Sequence, residues 1–115
     1  MDKLEQYRAI IEQALTAIVE QTTHSTVGLA ELRDKTVFDR CSDCYLILRE
    51  GWDGVRRIHG PVISLEIIHG KVWLQADHTN LRMAERLEEA GIPKSDIVLG
   101  FQPPSIRPYT EYAAA

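Results

Sequence analysis

Residues 44–75 read Cys44-Tyr45-Leu46-Ile47-Leu48-Arg49-Glu50-Gly51-Trp52-Asp53-Gly54-Val55-Arg56-Arg57-Ile58-His59-Gly60-Pro61-Val62-Ile63-Ser64-Leu65-Glu66-Ile67-Ile68-His69-Gly70-Lys71-Val72-Trp73-Leu74-Gln75. The apolar run from Cys44 to Arg49 has the length of a strand. It stops at Gly51-Trp52-Asp53-Gly54, where two glycines and an Asp-Gly pair signal a hairpin. Val55 to His59 returns, and Gly60-Pro61 marks a bend or an edge position, because proline cannot donate to a sheet ladder. Ile63, Leu65 and Ile67 then alternate with Ser64 and Glu66, so one face is buried and the other partly polar. His69-Gly70 turns the chain into Lys71–Gln75. Upstream, from about Glu31, Leu32, Thr36 and Phe38 alternate with charged residues. The stretch predicts an antiparallel meander of four to five strands.

Outside the meander the period changes. Leu4, Tyr7, Ile11, Leu15 and Ile18 recur every three or four residues, with Ile10, Ala14 and Val19 widening the stripe. That predicts an amphipathic scaffold helix over 4–19, started by a capping box of Asp2 and Glu5. Thr22 to Gly28 reads as helix exit and loop. A second helix, capped by Thr79 or Asn80, carries Met83, Ala84, Leu87 and Ala90 and stops at Gly91, with Pro93 beyond. Ile97-Val98-Leu99 reads as a short strand or extended segment, and Pro103, Pro104 and Pro108 impose an extended tail. The expectation is one α+β domain over 1–115: N-terminal helix, meander, second helix, short C-terminal strand and tail.

Composition fits that. The chain has 115 residues, 44% hydrophobic and 26% charged, with 7 Gly, 5 Pro and 2 Cys. Those values exclude a collagenous chain, a disulfide scaffold and wholesale disorder. Met1-Asp2-Lys3-Leu4-Glu5 has no basic or apolar leader, and no apolar stretch approaches the ~20 residues of a membrane helix. A cytoplasmic protein away from membranes is expected. The formal charge of −4 weighs against bare nucleic-acid binding, which rests on Lys and Arg neutralising phosphates.

Chemistry-bearing patterns are few. Cys41-Ser42-Asp43-Cys44 is a solitary C-x-x-C, and His59, His69 and His78 lie on separate elements, so a four-ligand zinc set is not expected. Thioredoxin-like chemistry needs the pair at a helix start, whereas Cys44 leads into a strand. No metalloprotease, nucleophile-elbow, P-loop or dinucleotide-binding motif occurs. An enzyme or nuclease using His59, His78 and nearby Asp residues is therefore the weakest reading, and no catalytic, metal or cofactor residue is assigned. Arg49, Arg56, Arg57 and His59 gather around Trp52 and offer a basic, aromatic patch for nucleic acid. Yet six basic residues balance six acidic ones between 31 and 59, which favours cross-strand Arg–carboxylate pairs. Exposed Trp and Arg are also what protein interfaces favour.

Several segments together resemble the XisI family, the fdxN-element excision controlling factors of cyanobacteria. They are Met1–Arg8, Phe38-Asp39 with Asp43 and Tyr45, Gly51–Gly54 with Arg57 and Gly60, Gly70–Gln75, and Asp77 with Thr79. The run Ala90–Phe101 is the most specific, and Pro104, Arg107, Tyr109 and Thr110 complete the match, which spares only a variable loop near 22–35. The resemblance implies an accessory factor for site-specific excision of a DNA element during heterocyst differentiation. A separate recombinase carries the strand exchange, and an XisH-like protein is the expected partner, with DNA met indirectly. Ser64 and Gln102 stand where the family often has His, and His78-Thr79-Asn80 replaces the common Gly-Thr-Glu, so no ligand role is carried over to them. The expected partner surface comprises the hairpin and polar sheet face, with Trp52, Asp53, Arg57 and Trp73, plus the tail with Arg107 and Tyr109. Direct DNA binding through Arg49, Arg56 and Arg57 is the alternative, and a homo-oligomer stays open.

Overall fold

The first helix, α1 (Lys3–Ser25), begins as its capping signal predicts: the Asp2 carboxylate accepts the Glu5 backbone N–H at 2.9 Å. The Glu5 side chain does not close the box but turns to Arg8 and Arg40. Of the predicted stripe, Tyr7, Ile11, Leu15 and Ile18 are buried, and Leu4, in the first turn, is half-buried against the core. The helix continues past the expected exit at Thr22, whose hydroxyl donates to the Ile18 carbonyl. The computed structural model describes residues 2–25 and 31–115, so the rest of the predicted loop falls outside the described residues.

Four strands follow as an antiparallel meander: β1 (Glu31–Asp39), β2 (Cys44–Asp53), β3 (Arg56–Ile68) and β4 (Lys71–Asp77). The turns are those the sequence signals. Asp53 pairs with Arg56 across a two-residue connection with Gly54 at φ 64°. Ile68 pairs with Lys71 across His69-Gly70, both at positive φ, the backbone twist that suits a tight hairpin. Between β1 and β2, the Asp39 carboxylate accepts from the backbone N–H groups of Cys41 and Ser42 and from the Ser42 hydroxyl.

The second helix, α2 (Met83–Glu89), is shorter than its apolar pattern suggests and is not capped by Thr79 or Asn80. Asp77 takes that part: one oxygen accepts Thr79 N–H and hydroxyl, the other accepts Met83 N–H at 3.2 Å. Met83 and Leu87 are buried, whereas Ala90 is exposed at the C-cap. Through α2 the chain crosses over to β5 (Ile97–Leu99), which runs parallel to β4. The sheet is thus mixed, in the order β1-β2-β3-β4-β5.

Both helices pack on one sheet face. There Tyr45, Ile47, Ile63, Leu65, Val72 and Leu74 meet the α1 stripe, Met83 and Leu87 in a single core, with no buried polar residue among the described residues. At about 1.5–3 kcal/mol per fully buried large apolar side chain, this face holds the fold together. The opposite face is covered only in part. The tail returns beside β5, where Ala113 pairs with Val98 and donates its N–H to the Ile97 carbonyl. Val98 is fully buried outside the helix-side core. At the other end, β4 stops opposite Ile63, so among the described residues β2 is the only strand neighbour of residues 56–61 of β3. Pro61 sits there without disturbing a second ladder, the edge position its sequence predicts. Among the described residues, no helix is long and apolar enough to cross a membrane.

Candidate functional site

The uncovered part of the second sheet face is built by β1, β2 and β3 where they project past β4. Strand alternation places Arg33 and Lys35 of β1, Leu48, Glu50 and Trp52 of β2, and Arg57 and His59 of β3 side by side on it. Arg33, Lys35, Leu48, Glu50, Arg57 and His59 line a shallow groove of about 550 Å³. A second concavity of about 340 Å³ continues over Trp52. Glu50 is the hub. Its carboxylate accepts Arg33 Nε at 3.0 Å and lies 3.3 Å from Arg57 Nη2. Arg57 also donates to the Gly51 carbonyl and lies 5.2 Å over the Trp52 ring, which is 47% exposed. Trp52 is thereby held as an upright plate by a cation on one side.

That geometry depends on Gly51. With φ at 149°, a Cβ there would fall 1.9 Å from the Glu31 carbonyl oxygen, so the close approach of β1 admits glycine alone.

The predicted interface residues divide between two places. Trp52 and Arg57 are in contact, and Asp53 is exposed beside them at the hairpin end, although alternation turns it to the other face. Trp73, Arg107 and Tyr109 form a second group. The Arg107 guanidinium lies 4.9 Å over the Trp73 ring and donates to the carbonyls of Gln102 and Gly100. Tyr109, in the same turn, is 87% exposed. Trp73 lies across β3 from Cys44, eight residues along β2 from Trp52, which separates the groups by about 25 Å.

The proposed basic cluster does not form as such. Arg49 points to the helix-side face, where Asp34 receives its Nε at 2.8 Å and its Nη2 at 2.9 Å. Arg56 shares that side by alternation, and Arg57 the opposite one. Charged groups pair across strands instead, as the balanced composition suggested. The residues missed were Arg33, Lys35 and Glu50. Their juxtaposition depends on the β1–β2 register, which the unrecognised four-residue turn at Asp39 sets.

Nothing among the described residues gathers three or more metal-type ligands. Cys41, in the β1–β2 turn, and Cys44, the first residue of β2, are free thiols, and burial, with Glu66 and Asp39 nearby, pushes the Cys44 thiol up, away from the reactive thiolate. His59 is exposed in the groove, and His78 is exposed beyond β4. Ser64 pairs with Ala76 across β3 and β4, Asn80 is exposed, and Gln102 is half-buried.

Comparison with known proteins agrees with this architecture. The family model described as XisI protein matches residues 1–114. The crystal structure of the fdxN element excision controlling factor XisI from Anabaena variabilis is 37% identical, with a TM-score of 0.83, covering 99% of this chain and 100% of that one. An XisI-like protein from the same organism is 32% identical, with the same TM-score and coverage. No curated protein matches. With the sequence match, the α-meander-α-β order and the tail all in register over its length, the chain belongs to the XisI family.

Proposed function

We propose that this chain is a non-catalytic accessory factor that controls excision of a DNA element by binding an XisH-like partner. The observation that carries the reading is the end-to-end match to a family with a member named as an excision controlling factor. The uncovered β1–β3 face supports it. An exposed tryptophan braced by arginine, beside half-buried Leu48, has the composition of a binding hot spot. Recombinase chemistry and the main phosphate contacts belong to other components, consistent with a net charge of −4. Coexpression with an XisH-like protein and size-exclusion chromatography tests the pairing. Co-elution is expected, and two separately eluting proteins at micromolar concentration would sink it.

Direct DNA binding is the second reading. With Arg49 held by Asp34, it has to run through Arg56 and Arg57 of the hairpin, with Arg33 and Lys35 beside Arg57. Its signature is affinity that falls with salt at a log–log slope of about −0.9 per phosphate contacted. No binding at low salt removes it.

A further inference from the structure

The two edges of the sheet are treated differently. At β5 the tail supplies a bridge partner, so the chain covers its own edge. At β1 no described residue pairs with the outer side of the strand. An open edge is a template for another strand, and proteins that keep one unpaired blunt it with charged side chains, proline, a bulge or a short strand. β1 has nine residues, no proline and an unbroken ladder with β2, and its charges, Glu31, Arg33, Asp34, Lys35 and Asp39, are of both signs, so they set which strand the edge accepts. Near its C-terminal end it presents Val37, 41% exposed, with Lys35 and Asp39 flanking it on the same face.

We propose that β1 joins two copies of this chain edge to edge, antiparallel and centred on Val37, extending both sheets into one. The sequence of the strand selects this register. With the two-fold axis at Val37, Val37 meets its mate, Lys35 meets Asp39 of the second copy twice over, and Thr36 meets Phe38. Centring on Lys35 sets Lys35 against Lys35 and Glu31 against Asp39. Centring on Asp34 or Arg33 likewise opposes like charges. Centring on Thr36 sets Arg33 against Asp39 but puts both apolar side chains, Val37 and Phe38, against charges, Lys35 and Asp34. The charges are available. Lys35 pairs with nothing among the described residues, and the Asp39 carboxylate is held ionised by its turn hydrogen bonds, first of all from the Ser42 hydroxyl. Leu46, paired with Val37 in the ladder, puts a half-buried apolar side chain behind each valine. A second copy is favoured over a different partner because the strand is complementary to itself.

Sedimentation of the purified full chain should give twice the 13.0 kDa mass. Val37→Lys should shift it to monomer, while Val55→Lys at the exposed hairpin tip should leave it dimeric. Directly opposed residues have Cα atoms about 4.5–5.5 Å apart, within disulfide range. Val37→Cys, in a chain with Cys41 and Cys44 changed to Ser, should therefore cross-link under mild oxidation. Lys35→Cys should not, because its mate lies four positions away, about 13 Å along the strand. A monomer at all concentrations overturns the proposal, even if β1 then cross-links to an XisH-like partner. So does a dimer that survives Val37→Lys, or one that cross-links at 35 rather than 37. Should Val37→Lys fail to fold, the cysteine pair decides.

Discussion

Gly51 and Asp43 show how much of this fold rests on single side chains. At Gly51 even a methyl group would enter the Glu31 carbonyl. Gly51→Ala must either strain the backbone or push β1 away, and urea denaturation should show a loss of about 2–4 kcal/mol. Asp43 ties the β1–β2 turn to the N-terminal helix. Its carboxylate takes Arg8 Nε at 2.8 Å and Nη2 at 3.2 Å and accepts the Tyr45 hydroxyl at 2.9 Å. The Arg8 hydrogen bonds, aided by Tyr45 and against the cost of burial, hold its pKa below the ordinary 3.8. A carboxylate with a depressed native pKa stabilises the fold above its unfolded value, and that contribution drains away as pH falls through the native value. Asp43 has φ 53°, which Asn tolerates, so Asp43→Asn isolates the charge. Thermal melts should show the variant about 1–3 kcal/mol less stable at pH 7. The gap should shrink once the pH drops below about 4. A gap that stays constant down to pH 2 would count against the ion pair.

Among the elements, the strands and α1 were legible because their cause is local. Asp53-Gly54 and His69-Gly70 carry the backbone preferences that their turns require, and the Tyr7–Ile18 stripe reports its own buried face. The start of α2 was misread for a physical reason. Thr79 and Asn80 are good caps by type, but the chain makes an intervening loop with Arg82 in the left-handed region, and Asp77 reaches across it to Met83. The parallel direction of β5 was equally hidden, since a three-residue apolar run carries no sign of its partner. The groove failed to appear for a related reason: Arg33 and Glu50 are 17 residues apart, and only the ladder register makes them neighbours. The Asp77 assignment is testable. Asp77→Ala should cost about 1–2 kcal/mol, the range of a lost cap, and Asn80→Ala should cost little. Equal losses in chemical denaturation would return the cap to Asn80.

Across the whole molecule, one sheet separates two surfaces with different tasks. The helix-side face carries the apolar core under both helices, with the Arg49–Asp34 pair beyond it, and chiefly supplies stability. On the other face the tail claims the β4–β5 half through Arg107, Trp73 and Ala113, which leaves the β1–β3 half for recognition. Trp52 stands in that half outside the apolar core, with Arg57 over its ring, so its removal can be separated from folding. Trp52→Ala should leave the melting temperature within a few degrees of the parent, as expected for a surface change. If the face binds an XisH-like protein, calorimetric titration should show affinity reduced at least tenfold, because an exposed tryptophan buried on binding typically counts for about 2 kcal/mol or more. Tyr109→Ala, in the tail turn whose Arg107 covers Trp73, should lower affinity by only about threefold, as a rim contact does. A standard interface of about 800 Å² per partner is wide enough to reach both groups. Unchanged binding by Trp52→Ala would move the contact off the β1–β3 half, and the tail, with Tyr109, would become the place to look.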